Sequence, residues 1–339
     1  MRYFNLTIIV VLLVLSMVST VQAGWVYEPD KMHFDVIDLG SIESYEGLFT
    51  GAYSINDLGE AVGSIGLNQV LFDMTGQGNN VDLGFHHGPK PDAMCINNAG
   101  QVVWSTGQDS RATLREPTGE TVQIGAMESY GFAINNPGQV VGSDGFPFIR
   151  ATLFDVTGQG NNINLDPFLE VPHASWAFGI NDNGQIVGQS HIRATLFDSS
   201  GQGNNIDLGA LGGTSGSAMC INNSGQIVGW AQTASDAIHA TIFDMTGEGD
   251  NVDLDTLSGE SVAFAINDSG VIVGRSGSCG TLFTGDGPID LNTLIPYSGW
   301  KLLQARDIND DGWIVGQAFY YDDGCYHAVV LKPIPGPVP

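Results

Sequence analysis

A nine-residue pattern recurs seven times along the chain and constrains its fold more than any other feature. The pattern reads Ile-Asn-[Asp/Asn]-x-Gly-x-[Val/Ile/Ala]-Val-[Gly/Trp]. Its copies begin at Ile55, Ile96, Ile134, Ile180, Ile221, Ile266 and Ile308, so consecutive copies start 38 to 46 residues apart. Repeats of this length that hold four short strands are typical of β-propeller blades.

Four segments rich in β-branched and aromatic residues recur in each repeat, and we interpret them as strands A to D of a meander. Strand A ends on the motif isoleucine (residues 132–134), and strand B is the Val-Val-Gly run (residues 226–229). Strand C carries Arg/His-Ala-Thr-Leu-Phe-Asp (residues 150–155), and strand D is [Val/Ile]-Asp-Leu (residues 206–208). The Asn-x-x-Gly segment between A and B predicts a tight hairpin turn.

The two ends of the chain supply complementary parts of one repeat. The seventh repeat has strands A, B and C (the last at residues 327–331) and is followed by a proline-rich segment without strand D. A Val-Ile-Asp-Leu segment at residues 36–39 precedes the first motif and has no repeat of its own. Because an open stack would leave unpaired edge strands, these observations predict an all-β, seven-bladed propeller closed by the N-terminal strand.

The first residues have the features of a secretory signal. Arg2 precedes an apolar stretch at residues 8–18, and Val-Gln-Ala at residues 21–23 suits signal peptidase. The alternative, a membrane anchor, would need about twenty apolar residues. We therefore predict a signal peptide at residues 1–23, one propeller domain at 24–332, a proline-rich tail at 333–339, and no transmembrane segment after cleavage. The expected location is extracellular or at the cell surface.

The formal net charge of −26 comes from 37 acidic and 11 basic residues. A field of this sign repels phosphate backbones and argues against nucleic acid as a partner. It is compatible with a solvated acidic surface, and also with cations or basic partners.

Loop lengths distinguish the two faces of the predicted ring. The A–B turn has the same length in every repeat, whereas the B–C and D–A connections vary. Variable loops on a rigid scaffold are where binding residues concentrate. The candidates on that face are His86, His87, Trp176, Trp300, Arg306 and Asp307.

Asp307 stands out because the residue before the motif isoleucine is small in the other six repeats. A carboxylate there, next to Arg306, would point into the central channel. The competing interpretation is a local ion pair.

Two rings of side-chain oxygens follow from the motif: the seven asparagines, and the Asp or Asn after each of them. Such rings could hold Ca²⁺, although turn formation already explains both positions. The Asp-x-Thr-Gly-Gln-Gly-Asn-Asn segments that begin at Asp73 and Asp155 resemble a metal loop but lack the carboxylate alternation of an EF-hand. No cofactor is identified, and calcium stays possible.

The four cysteines suit an oxidising compartment. Cys279 and Cys325 both precede strand C in neighbouring repeats, so a disulfide between them would reinforce ring closure if the strands lie close enough. Cys95 and Cys220 occupy the small position of strand A and are expected to be buried thiols.

The segments at residues 207–213, 221–229 and 239–243 (Asp-Leu-Gly-Ala-Leu-Gly-Gly, Ile-Asn-Asn-Ser-Gly-Gln-Ile-Val-Gly and His-Ala-Thr-Ile-Phe) resemble the bacterial extracellular HAF-repeat family. The resemblance covers all seven repeats, but Phe of the His-Ala-Phe strand is replaced, and Arg111, Arg150 and Arg193 stand where His is usual. It implies a secreted repeat protein and carries no established activity.

Three functions are compatible with this sequence. The first is a non-enzymatic extracellular module whose B–C and D–A face binds a protein or a glycan. The second is a polysaccharide hydrolase or lyase that uses acids such as Asp307 at the channel mouth; the sequence contains no Gly-x-Ser-x-Gly, His-Glu-x-x-His or phosphate-loop motif. The third is a matrix component stabilised by Ca²⁺.

Overall fold

The described part of the chain folds as seven four-stranded antiparallel sheets arranged in a ring. The structure is a computed structural model that describes residues 33–41, 50–85, 94–106, 110–145, 148–167, 172–295 and 299–334. In each sheet the strand that ends on the motif isoleucine is innermost, and the innermost strands of neighbouring blades contact each other around the whole ring. The predicted seven-bladed propeller is confirmed.

The strand bounds follow the repeats. The N-terminal strand is β1 (His33–Ser41), and blades 1 to 3 contain β2 (Thr50–Ile55), β3 (Ala61–Ile65), β4 (Asn68–Leu71), β5 (Val81–Phe85), β6 (Met94–Ile96), β7 (Val102–Thr106), β8 (Arg111–Arg115), β9 (Thr121–Gln123), β10 (Tyr130–Ile134), β11 (Val140–Asp144), β12 (Arg150–Phe154) and β13 (Ile163–Asn164). Blades 4 to 6 contain β14 (Ser175–Ile180), β15 (Ile186–Ser190), β16 (Arg193–Phe197), β17 (Ile206–Gly209), β18 (Gly212–Ile221), β19 (Ile227–Thr233), β20 (Ile238–Phe243), β21 (Val252–Asp253), β22 (Ser261–Ile266), β23 (Ile272–Ser276), β24 (Cys279–Thr284) and β25 (Gly287–Asp290). A 3₁₀ turn (Leu291–Thr293) precedes blade 7, which contains β26 (Trp300–Ile308), β27 (Ile314–Tyr320) and β28 (Cys325–Ile334).

The N-terminal strand completes the last blade, as the strand count predicts. The order in that sheet is β1-β28-β27-β26, and β1 pairs antiparallel with β28. The pairing runs from His33 opposite Ile334 to Ser41 opposite His327. Both strands are longer than the sequence indicates, and β28 includes Pro333 and Ile334, which the sequence places in the proline-rich tail. Each strand supplies the other's backbone partners, so the pairing extends beyond the recognisable motifs.

A bulge in strand A explains the glycine that ends the Val-Val-Gly run. In blade 1 the register shifts between Ala52 and Ser54, which leaves Tyr53 as the extra residue. A Cβ on Gly63 would lie 2.1 Å from the carbonyl oxygen of Gly51. In blade 2 the corresponding residue is Trp104, and there the described part of strand A pairs without a bulge. Glycine is therefore required where strand A is bulged.

The core lies between adjacent blades. One apolar cluster joins Leu39, Val315 and Val330 of blade 7 to Ala52 and Ile55 of blade 1, so the junction that closes the ring is packed like the others. Within the described ranges, no helix is long and apolar enough to cross a membrane. The predicted signal peptide lies outside the described residues.

Candidate functional site

Each motif asparagine holds its own turn and also binds the next blade. The Oδ1 of Asn56 accepts a 2.8 Å hydrogen bond from the Glu60 N–H, and its Nδ2 donates to the backbone oxygen of Asn97 at 3.0 Å. The other six asparagines repeat both contacts, and Asn309 of blade 7 donates to Asn56 of blade 1. All seven side chains are buried. These bonds form a closed circuit around the ring.

A second circuit runs through the next residue of the motif. The Asp57 N–H donates to Oδ1 of Asn98 at 2.9 Å, and the same bond recurs at every blade junction until the Asp310 N–H donates to Oδ1 of Asp57 at 3.0 Å. The motif isoleucines, asparagines and Asx residues line a cavity of about 190 Å³ on the A–B face. Both predicted rings of oxygens are present, and their hydrogen bonds join neighbouring blades.

The second circuit contains one run of three carboxylates, at Asp268, Asp310 and Asp57. Asn98 donates from Nδ2 to Asp57 at 2.8 Å, and Asn223 donates to Asp268 at 2.8 Å. Asp310 lies between Asp57 and Asp268, with no amide on either side. Partial burial, followed by the charges of Asp57 and Asp268, raises the pKa of Asp310. At neutral pH, repulsion between these carboxylates makes this the least stable part of the second circuit.

The C–D loops use their aspartates internally. Oδ1 of Asp73 accepts from the backbone N–H and Oγ1 of Thr75, at 3.0 and 2.6 Å, while Oδ2 accepts from the N–H and Nδ2 of Asn79, at 3.2 and 3.1 Å. Hydrogen bonds, first of all from the Thr75 hydroxyl, lower the pKa of Asp73 to about 2. Among the described residues no group of three or more His, Cys, Asp or Glu side chains is placed to hold a metal ion. Calcium binding stays an untested possibility.

The C–D loops also join neighbouring blades at the outer edge of the ring. The last asparagine of the loop, Asn80, accepts from the Asp73 N–H and donates from Nδ2 to the backbone oxygen of Leu39 in the N-terminal strand at 2.9 Å. Asn162, Asn205 and Asn251 make the equivalent bond to the preceding blade. The loop therefore has a structural role at four blade junctions, including the one that closes the ring.

Asp307 lies on the innermost strand of blade 7 and joins that blade to blade 1. Its Oδ2 accepts from the Ile55 N–H at 3.0 Å, and its Oδ1 accepts from the Ile308 N–H at 2.9 Å. Burial raises the pKa of Asp307 to about 6, although these hydrogen bonds oppose the shift. Ser54 occupies the same position in blade 1, where its Oγ is 3.4 Å from the Ile96 N–H. The carboxylate thus bridges blades 7 and 1, as the Ser54 hydroxyl does for blades 1 and 2, and its predicted exposure to the central channel stays a prediction.

Arg306 is the bulge residue of blade 7 and lies between aromatic residues of the two neighbouring blades. Its guanidinium carbon is 4.9 Å from the ring centre of Phe264 and 5.8 Å from that of Tyr53. The bulge residues Phe132 and Phe178 of blades 3 and 4 likewise meet edge to face at 5.3 Å. Strand A bulges therefore turn large side chains toward their counterparts at the inner wall, an arrangement that sequence spacing alone does not reveal.

Blade 7 carries an aromatic edge on the face formed by the B–C and D–A connections. Trp300 stacks on Tyr320 with ring centres 4.4 Å apart. On the following turn and strand, Tyr321 and Tyr326 are 62% and 49% exposed. Sequence reasoning points to Trp300 and misses the two tyrosines. The run Phe-Tyr-Tyr at 319–321, in the longest B–C connection, is the sequence feature that indicates an aromatic surface. The additional residues of the B–C and D–A connections in this repeat extend β26, β27 and β28 and do not form an irregular loop.

Of the other predicted site residues, Trp176, Arg306 and Asp307 do not join this edge. Trp176 lies in β14, half-buried and paired with Gln189. His86 and His87 fall outside the described residues. None of the four cysteines forms a disulfide here, and burial raises the pKa of Cys220 to about 12. A bridge between Cys279 and Cys325 is not formed in this structure, and oxidation of that pair stays a prediction.

The fold and its blade junctions define the molecule as a seven-bladed β-propeller. Among solved structures it is similar to the selenomethionine-substituted virginiamycin B lyase from Staphylococcus aureus, with a TM-score of 0.54 and 11% sequence identity over 88% of this chain and 99% of that chain. A streptogramin B lyase structure aligns with a TM-score of 0.38 and 12% identity, over 89% of this chain and 98% of that chain. The first of these likenesses shows a shared fold. No protein-family model and no curated protein matches the chain significantly.

Proposed function

We propose that this protein is a secreted, non-enzymatic binding module that presents its B–C and D–A face to an extracellular glycan or protein. The observation that carries the proposal is that the two faces of the ring differ in structure. The A–B turns are occupied by two hydrogen-bond circuits that join every pair of blades. The opposite face exposes aromatic side chains on an extended blade edge.

Secretion rests on the sequence of residues 1–23 and on the resemblance to HAF-repeat proteins. The large negative charge suits a protein that stays soluble among other macromolecules, and it disfavours polyanionic ligands. A rigid ring with constant turns on one face and variable connections on the other is the arrangement in which loops evolve binding specificity.

A panel of soluble and insoluble polysaccharides and extracellular proteins tests this proposal with the mature chain, residues 24–339. We expect retention of at least one ligand without release of shortened or unsaturated products. Product release that grows with protein concentration and time would overturn the non-enzymatic assignment.

A polysaccharide hydrolase or lyase is the second candidate, and Asp307 is the observation that favours it. A carboxyl group on the innermost strand of blade 7, with a pKa raised to about 6, suits proton transfer close to neutral pH. Asp307→Ser introduces the residue found at the same position of blade 1. Turnover that is present in the parent protein and absent in this variant would support the enzyme; turnover that persists would exclude Asp307 from the chemistry.

A further inference from the structure

We infer that the aromatic edge of blade 7 is a carbohydrate platform that binds an uncharged chain of gluco-configured pyranoses through Tyr321 and Tyr326. The inference rests on the proposed function, since it names a ligand class for the same face. A pyranose with equatorial hydroxyl groups exposes a flat patch of axial C–H groups, and such a patch stacks on the face of an aromatic ring.

Three aromatic rings form the exposed surface of this edge. Phe319 is the centre, with the ring of Tyr321 at 5.3 Å and the ring of Tyr326 at 5.4 Å, both edge to face. Phe319 and Tyr326 are directly paired across β27 and β28, and Tyr321 begins the turn between these strands. Because the two tyrosines remain half to two-thirds exposed, their outer faces are available to a ligand.

The opposite side of the same strands is rigid. His327 is buried, with Nδ1 2.9 Å from Oδ1 of Asp38 and Nε2 3.0 Å from Oδ2 of Asp323. Trp300 packs edge to face on His327, with the ring centres 5.0 Å apart. The turn is therefore fixed to the N-terminal strand, and the platform is ordered before a ligand arrives, which lowers the entropy lost on binding.

Polar groups at the rim suit hydroxyl groups. On the exposed turn, Oδ2 of Asp322 accepts from the Tyr320 hydroxyl at 2.9 Å and its Oδ1 is left as an acceptor, whereas both oxygens of Asp323 are engaged by the Cys325 N–H and by His327. Lys301, paired with Phe319 across β26 and β27, carries donors. The two carboxylates outnumber the single ammonium, and the whole chain is strongly acidic. This balance favours an uncharged sugar chain over a polyuronate, which the protein would repel.

The size of the surface favours a sugar chain over a protein. An aromatic side chain buries about 150 to 250 Å² when fully covered, so three partly exposed rings offer a few hundred Å². A stable protein interface needs about 800 Å² from each partner. A few stacked pyranoses match the smaller area.

Titration of the mature chain with cellohexaose and chitohexaose, followed by Trp fluorescence and calorimetry, tests the inference. We expect binding of at least one oligosaccharide, and about fivefold to tenfold weaker binding in Tyr321→Ala and in Tyr326→Ala. Tyr321→Phe keeps the stacking face and should bind within about twofold of the parent protein. Phe148→Ala, which removes a 46% exposed aromatic side chain from another blade, is the matched control and should bind normally.

Three outcomes would overturn the inference: neither oligosaccharide binds the parent protein, both alanine variants bind like the parent, or polygalacturonate binds more tightly than the uncharged chains. Binding that persists in the alanine variants without turnover leaves the proposed function intact and places the site elsewhere. Cleavage of an oligosaccharide that still requires the tyrosines instead contradicts the non-enzymatic assignment and keeps the platform. Melting temperatures within about 2 °C of the parent verify that these exposed substitutions leave the fold unchanged.

Discussion

The side-chain amide of Asn309 donates a hydrogen bond of 3.1 Å to the backbone oxygen of Asn56, 253 residues earlier in the chain. Six other asparagines make the same contact between blades that are consecutive in sequence. The junction between the chain ends thus uses the same asparagine bond as every other junction.

Replacing Asn309 with alanine should lower the free energy of unfolding by about 2 to 3 kcal/mol, because buried backbone groups of both blades lose their partners. Asn222→Ala, which breaks the same bond at an internal junction, is the matched comparison and should cost a similar amount. Urea denaturation of both variants measures the loss. A change no larger than that of Asp311→Ala, on the exposed side of the turn, would show that the circuit contributes little.

Gly229→Ala should destabilise blade 5 by about 3 kcal/mol or more, since the new Cβ would lie 2.0 Å from the backbone oxygen of Ser217. Gly78→Ala is the control: its Cβ meets nothing within 4 Å, so only the left-handed backbone, with φ of 79°, should cost about 1 kcal/mol. Thermal melts of both variants make the comparison. Equal losses would argue against the bulge as the reason for glycine.

Asp307 should make the protein less stable as the pH rises from about 4 to 7. Its folded-state pKa of about 6 lies above the ordinary value of 3.8, so the folded chain binds the proton more tightly. The stabilising contribution of the protonated form is complete below pH 4 and is lost as the pH passes 6. Melting temperatures across this range should fall more steeply for the parent protein than for Asp307→Ser; parallel curves would contradict the assignment.

Asp310→Asn should stabilise the ring, because an amide between Asp57 and Asp268 can donate where a third carboxylate repels. We expect a gain of up to about 1 kcal/mol, limited by the exposure of the site. The reverse change, Asn223→Asp, removes an existing donor to Asp182 and Asp268 and should lower the melting temperature. Opposite signs for these two variants are the result to look for at pH 7 and low salt.

A chelator should leave the melting temperature unchanged. The loop that begins at Asp73 uses both carboxylate oxygens for its own N–H and O–H donors, as does the loop at Asp155. Scanning calorimetry with EDTA, compared with added CaCl₂, measures any difference. A shift of several degrees would favour the calcium-stabilised matrix protein instead.

Much of the architecture was predictable because the repeats report it directly. The spacing of the motif isoleucines predicts the blades, and the unpaired Val-Ile-Asp-Leu segment at residues 36–39 predicts that β1 closes the last one. Asp307 was recognisable as an exception because it breaks a position that is otherwise small, but its bond to the Ile55 N–H was not. The candidate platform was less accessible, since Trp300 was identified without the two tyrosines.

The number of blades, the strand order and the closure follow from the amino-acid sequence, because hydrophobic alternation and turn residues act locally and recur in every copy. The contacts between the copies become visible only in the folded ring. The Asn309 to Asn56 bond, the bulge that requires Gly63, and the packing of Arg306 between Phe264 and Tyr53 join residues of different strands or blades. Such contacts depend on the register between strands and on the curvature of the ring, and neither can be inferred from the sequence of a single repeat.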